Sequence, residues 1–186
     1  MIKNKIELQQ YVEADMLANF ASEKHRKSLL ACRWDGMYNL LYLHYLRRTE
    51  YVLNCCKGYK RKVLYSCLSR RLRKIGVLTG IYIPPFTFGK GLFIPHWGSI
   101  VVNDTARFGE NCVVQSCVNI SEGVVGGNHI YLSAGAKIMI DVHLDDDVIV
   151  GANAVVTKSV TEPNVVVAGV PAKIISRKGF KNREKV

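Results

Sequence analysis

Residues 93–121 read FIPHWGSIVVNDTARFGENCVVQSCVNIS, and two apolar ladders run through this stretch and beyond it. Counting by sixes from Val102 to Val156 meets Phe108, Val114, Ile120, Leu132, Ile138, Leu144 and Val150, and nine of the ten positions carry a sizeable apolar side chain, Gly126 being the exception. A second series, from Ala106 through Cys112, Val118, Val124 and Ile130 to Val160, is apolar at all ten positions. Gly, Asn, Asp, Ser and Lys fill the gaps, and these are turn residues. A helix cannot keep such a beat on one face, because 3.6 residues per turn carries the sixth residue round by about 240°. A two-sided strand would alternate every two residues without interruption. Period six with two inward positions per unit is the signature of a triangular solenoid, in which each hexapeptide is one short strand plus a corner. Phe88 to Val160 predicts about four coils of it.

The beat slips once. Phe88 and Ile94 are six apart, but Ile94 and Val102 are eight apart, so two extra residues fall within PHWGSI, residues 95–100. The wall is expected to bulge there and to free His96 or Trp97 to project. A break in a regular repeat is where function concentrates.

Ahead of the repeat the period changes. Residues 4–76 place Leu8, Tyr11, Val12 and Met16, and later Leu40, Leu43 and Leu46, at three- and four-residue spacing, which predicts about three helices with Gly36 and Gly58 as breaks. Nearly all of the formal charge of +11 lies in this half: residues 1–80 hold sixteen Lys/Arg against six Asp/Glu. The third helix, YKRKVLYSCLSRRLRK at 59–74, puts Val63, Leu64, Cys67, Leu68 and Leu72 on one stripe and basic residues around it. A solvated face is one reading of those charges, and peripheral contact with a membrane surface is another. No nucleic-acid recognition motif accompanies them, so no nucleic-acid partner is expected. No apolar run approaches the roughly 18 residues that span a bilayer, and the start, MIKNKIELQQYVEAD, has no signal-like apolar core. A cytoplasmic location is expected. Six cysteines without CxxC spacing suggest free thiols, and no metal site is expected. The domain reading is therefore 1–78 helical, 79–172 solenoid and 173–186 a basic C-terminal tail.

Five segments carry a family resemblance: GLFIPHWGSIVVNDTARFGENCVV (91–114), LSAGAKI (132–138), VGANAVVTKSV (150–160), AGVPAKII (168–175) and LRRTEYVLNC (46–55). Together they resemble the hexapeptide-repeat acyltransferases, and within them the serine O-acetyltransferases and the shorter homologues of capsule and exopolysaccharide clusters. The resemblance implies a mainly β fold, a left-handed parallel β-helix behind an N-terminal α-helical domain, and a homotrimer with active sites in the clefts between copies. It implies acetyl-CoA as co-substrate and His96 as the catalytic residue. Ser133, Ala134, Gly151 and Ala152 stand where small residues line the pantetheine arm, and Lys158 and Lys173 where the nucleotide end of CoA lies.

The departures narrow the acceptor. The upstream Asp-Ile-His-Pro segment of serine acetyltransferases is here Ile81-Tyr82-Ile83-Pro84, and Pro95 replaces the aspartate before the catalytic histidine. Gly123 aligns with a second histidine that the family carries on a loop, and His129 does not. Without those carboxylates to meet an ammonium group, an uncharged sugar hydroxyl is as good an acceptor as L-serine. Trp97, Asn103, Gln115, Asn119 and Glu122 are the outward polar or aromatic residues expected to meet it. Transfer to an alcohol needs a base, and a neutral imidazole fits at about pH 7. Direct transfer in a ternary complex follows, with His96 oriented by a backbone carbonyl or by Glu50. Cys112 and Cys117 read as packing residues, Asp145-Asp146-Asp147 as a corner, and His129 and His143 as outward ladder residues. The alternative is a catalytically weak β-helix scaffold that binds a partner enzyme through its tail.

Overall fold

The six-residue beat closes on itself every eighteen residues. Parallel pairing sets Val101 beside Asn119, Asn119 beside Lys137 and Lys137 beside Val155. The computed structural model describes residues 1–19 and 34–180, the side chains of 34–37 excepted. Thirteen strands, numbered in chain order, form three faces among these residues. Face one holds β1 (Ile81–Tyr82), β2 (Ile100–Val102), β5 (Asn119–Ile120), β8 (Lys137–Ile138) and β11 (Val155–Val156). Face two holds β3 (Arg107–Phe108), β6 (Val125–Gly126) and β9 (His143–Leu144). Face three holds β4 (Val113–Val114), β7 (Tyr131–Leu132), β10 (Ile149–Val150), β12 (Val166–Gly169) and β13 (Ala172–Ser176).

Both apolar ladders point inward, Val114, Ile120, Leu132 and Ile138 among them at 1% exposure or less. The structure has about five turns, not four. Ile81 and Ile83 already face the core and Val167 still does, but the end coils are irregular and a fixed ruler of six misses them. Ile81 pairs with Ile100, nineteen residues on, and Ile149 with Val166, seventeen on. The gap at Gly126 has a packing cause. The Phe108 ring, stacked on Phe88 at 4.8 Å between centroids, fills the space a side chain at Gly126 would need.

Left-handed backbone makes the corners. Asn111, His129, Asp147 and Asn164 share one edge at φ of 53–62°, and Cys117, Gly135 and Asn153 another. Asn and Asp tolerate this region best after glycine, which accounts for Asp147, while Asp145 and Asp146 accept from the Asp146 and Asn128 N–H groups. His129 is thus a corner residue and not an outward ladder position. Its Nδ1 lies 3.3 Å from Asp147 and its ring stacks on Phe180. His143 does point outward, from β9. Cys112 is buried, whereas Cys117 is exposed at its corner and is not a packing residue. The described cysteines are all free thiols, and Cys32 lies outside the described residues.

The helices are α1 (Lys5–Asn19), α2 (Trp34–Cys55) and α3 (Gly58–Thr79). Gly36 sits inside α2 and breaks nothing, while Gly58 opens α3 at φ +60°. The helices serve the solenoid's open end. A first coil has no coil beneath it, and each buried backbone group left unpaired costs about 1–3 kcal/mol. Side chains supply the partners. Asp15 accepts from Leu92 N (2.9 Å) and Glu50 from Phe86 N (2.8 Å). Arg47 donates to Phe88 O and Gly89 O, Asn39 to Ile94 O, and the Tyr42 hydroxyl meets both backbone groups of Ile83. Arg47 is wholly buried between Asp15 (2.7 Å) and Glu50 (3.1 Å). Burial alone would lower the guanidinium's pKa, but the Glu50 and Asp15 carboxylates outweigh it and hold the pKa above its ordinary value.

α3 buries only its last turns, at Ile75 and Thr79, while Leu68 and Leu72 are half-buried. Val63, Leu64 and Cys67, the other half of the expected stripe, are exposed. The stretch read as a tail begins inside a strand. Lys173 lies in β13, antiparallel to β12, while residues 181–186 of SRKGFKNREKV fall outside the described residues. No helix among the described residues is long and apolar enough to cross a membrane.

Candidate active site

The two-residue insertion that the spacing predicted is visible in the register. Phe88 pairs with Phe108 and Phe93 with Val113, each twenty residues on, whereas the following coils repeat at eighteen. The extra length falls at 95–99, which bulges from the edge between face three and face one. His96 and Trp97 are exposed there. Two contacts pin the bulge from behind: Gly98 N donates to Thr79 O (2.8 Å) and Ile100 N to Gly80 O (2.9 Å). The end of α3 therefore sets the position of His96. Among the described residues the backbone N–H groups of His96, Trp97 and Ser99 have no partner, and neither does the His96 ring.

Glu50 does not orient His96. Its carboxylate is committed to Arg47 and Phe86 N at the buried end of the solenoid. Acidic side chains serve there because the Phe86 and Leu92 N–H groups need acceptors and the buried guanidinium needs counter-charge beyond its two backbone carbonyls.

Above the bulge runs an edge of small residues. Cys117 N donates to Gly98 O, Gly135 N to Ser116 O and Asn153 N to Ala134 O, so Gly98, Ser116, Ala134 and Ala152 stack coil upon coil. Gln115, Ser133 and Gly151 form the neighbouring column, since Gln115 N donates to Leu132 O and Ser133 N to Val150 O. A side chain at Gly151 would crowd Ala168 at 2.9 Å, and Lys173 pairs with Ala168 from β13. The structure thus brings Ser133, Ala134, Gly151, Ala152 and Lys173 to the edge that carries His96. Lys158 stands elsewhere, on the edge between faces one and two, where its register neighbours eighteen apart are Ile140 and Glu122.

The acceptor candidates divide in the same way. Trp97 and Gln115 lie at the His96 edge, with Gln115 Nε2 donating to the Tyr131 hydroxyl at 3.0 Å. Asn103, Asn119 and Glu122 line one shallow groove on face one, together with Tyr82, Val101 and Ile140. Asn103 Oδ1 is already used locally, accepting from Thr105 N and Oγ1. The groove runs over face one, whose near edge carries His96. At Gly123 the chain stays in register, with Asn119 opposite Lys137, so no loop leaves the coil there. The Asp141 carboxylate packs where a side chain at Gly123 would go. Ser116 escaped the sequence reading, although its spacing of eighteen from Ala134 was there to be counted. No group of three His, Cys, Asp or Glu residues able to hold a metal ion occurs among the described residues.

No protein-family model matches the chain. A serine acetyltransferase of Mycobacterium tuberculosis is 34% identical over 110 residues, which is 54% of this chain and 48% of the relative. The chain spans about half the length of the curated relatives it matches. A hexapeptide-repeat serine O-acetyltransferase from Brucella melitensis superposes with a TM-score of 0.70 at 25% identity, covering 94% of this chain and 71% of that one. The serine acetyltransferase of Brucella abortus strain S19 in complex with coenzyme A superposes with a TM-score of 0.69 at 23% identity, over 95% and 70% of the two chains. The shared architecture is the left-handed parallel β-helix.

Proposed function

We propose that this chain is a hexapeptide-repeat acyltransferase like the serine acetyltransferases it resembles, and that it transfers an acetyl group from acetyl-CoA to a hydroxyl acceptor, with His96 as general base. One observation carries the reading. Among the described residues, one imidazole, His96, projects from the bulged coil, at the foot of an edge of Gly, Ser and Ala residues. Such an edge admits a narrow pantetheine arm, and Lys173 at its top suits a phosphate. The coenzyme A bound to the Brucella abortus relative supports the same substrate here.

The steps balance without an acyl-enzyme. The acceptor oxygen attacks the thioester carbonyl as the His96 ring takes its proton, and the free N–H groups beside His96 offer donors to the oxyanion. The C–S bond then breaks and the imidazolium returns the proton to the leaving thiolate, giving an acetyl ester and CoA. A positioned base of this kind is worth about 10²–10⁴-fold. Glu50 is committed elsewhere and leaves the ring to the acceptor and cofactor.

The acceptor groove of Asn103, Asn119 and Glu122 opens on face one, which the edge carrying His96 borders. A homotrimer, in which one copy's edge meets a neighbour's face, would close the site and place Lys158 of a second copy near the cofactor. Exposed outward Val101, Met139 and Ile140 support such packing. We take the acceptor to be a sugar hydroxyl of a surface glycan precursor or L-serine, the solenoid of 79–172 to be the catalytic unit, and the enzyme to work in the cytoplasm. The basic, apolar outer surface of α3 supports peripheral contact with an anionic membrane face.

The test is thiol release from acetyl-CoA over a panel of serine, sugars and nucleotide sugars. Turnover with at least one hydroxyl acceptor is expected, and His96→Ala lowers it at least 100-fold. Near-wild-type turnover in that variant would overturn the assignment. No release with any acceptor would favour the scaffold alternative.

A further inference from the structure

Between α3 and the first coil lies a cavity of about 400 Å³, within the size range of small-ligand pockets. Its lining is chiefly apolar and aromatic, with Tyr65, Leu72 and Val77 from α3 facing Tyr82 and Pro84 from the coil. Ser69 and Arg73 add the polar groups. The lip is apolar and wet: Val77 is 80% exposed and Tyr82 61%. α3 itself carries Lys60, Arg61, Lys62, Arg70, Arg71, Arg73 and Lys74 with no acidic residue. None of the seven pairs with a carboxylate among the described residues.

We infer that this cavity holds the apolar tail of an anionic membrane lipid, whose phosphate is met by Arg73 and its neighbours Arg70 and Lys74. A tail alone would suit the walls but leave the arginine without a partner, and a phosphate alone would leave the aromatic walls wet. An anionic amphiphile satisfies both, because guanidinium groups pair well with phosphate oxygens and about 0.8 kcal/mol accompanies each buried CH₂. A second copy of this chain fits worse, since two such helices would oppose seven cations to seven. A nucleic acid would use the charges and leave the cavity empty. The site adjoins the proposed active site through two hydrogen bonds, the carbonyl of Thr79, the last residue of α3, holding Gly98 beside His96 and that of Gly80, in the cavity wall, holding Ile100. A lipid seated there would present the His96 edge near a bilayer surface. The inference deepens the membrane-surface reading of α3 and rests on it only for the source of the lipid.

Two measurements on the full chain separate the cavity from mere adhesion. In calorimetric titration below the micelle concentration, dihexanoyl phosphatidylglycerol is expected to bind and dihexanoyl phosphatidylcholine is not. Ser69→Trp, which fills the cavity, and Arg73→Glu, which reverses the charge at its wall, each weaken that binding at least tenfold. Arg73 is exposed, so its variant reports even if Ser69→Trp fails to fold. In parallel, wild-type protein is floated with phosphatidylcholine vesicles with and without phosphatidylglycerol. Adhesion to anionic vesicles without titration by the soluble lipid overturns the cavity site and leaves the surface reading standing. Failure of both removes both. Equal binding of the two soluble lipids, or displacement of the anionic one by an oligonucleotide, also overturns the inference.

Discussion

At the scale of single residues, spacing decides what each side chain can do. His96 is free to project because its coil is two residues longer than the ones that follow. His96→Asn is expected to keep the fold, the residue being exposed, and to lose two or more orders of magnitude in turnover, read by thiol release. Gly126 shows the converse, a position without a side chain because Phe108 occupies its space. Gly126→Val overpacks the core and costs about 1–3 kcal/mol in chemical denaturation. The cysteines make a third case. Burial pushes the Cys112 thiol up to about 12 from 9.0, whereas Cys67 and Cys117 are exposed. Near pH 8 a thiol reagent therefore modifies Cys67 and Cys117 and spares Cys112 until the protein unfolds. Burial favours the neutral thiol, so its contribution is whole below about pH 9 and declines as pH rises toward about 12.

At the scale of elements, the helices act as a lid on the solenoid's first coil. Arg47 is the centre of that lid, bonded to two carboxylates and two backbone carbonyls. Removing one member of a buried ion network leaves the others uncompensated, typically at about 3–5 kcal/mol. Arg47→Ala is expected to lower the denaturation midpoint by that order and, by loosening α3's neighbours, to reduce turnover as well. Circular dichroism during urea titration measures the first effect. An unchanged midpoint would mean that the network does not hold the coil.

At the scale of the whole molecule, charge and chemistry are separated. The solenoid half is nearly neutral while the helical half carries the basic excess, and the two meet where Thr79 holds Gly98. Light scattering is expected to give three times the chain's 20.9 kDa. Asp substituted at Met139 and Ile140, both exposed in one chain, shifts the mass toward the single copy and lowers turnover with it. A monomer that retained full activity would remove the shared-cleft proposal.

The solenoid was legible in the chain because its wall repeats one local rule. Each hexapeptide buries two side chains and turns, so periodicity reports the solenoid and the bulge at 95–99, while its handedness and the small residues at 133–134 and 151–152 came from the family resemblance. The end coils were not legible in the same way, since Ile81, Ile83 and Val167 pack inward through irregular lengths. Nor could sequence reveal that Asp15, Arg47 and Glu50 meet, being brought together across more than thirty residues by the need to satisfy one coil's backbone. That Lys158 parts from Ala134 and Ala152, and that Glu50 is spent far from His96, depends on which edge each residue occupies. A repeat dictates its own cross-section, but contacts between distant segments are set by where the chain folds back, and only the tertiary structure decides that.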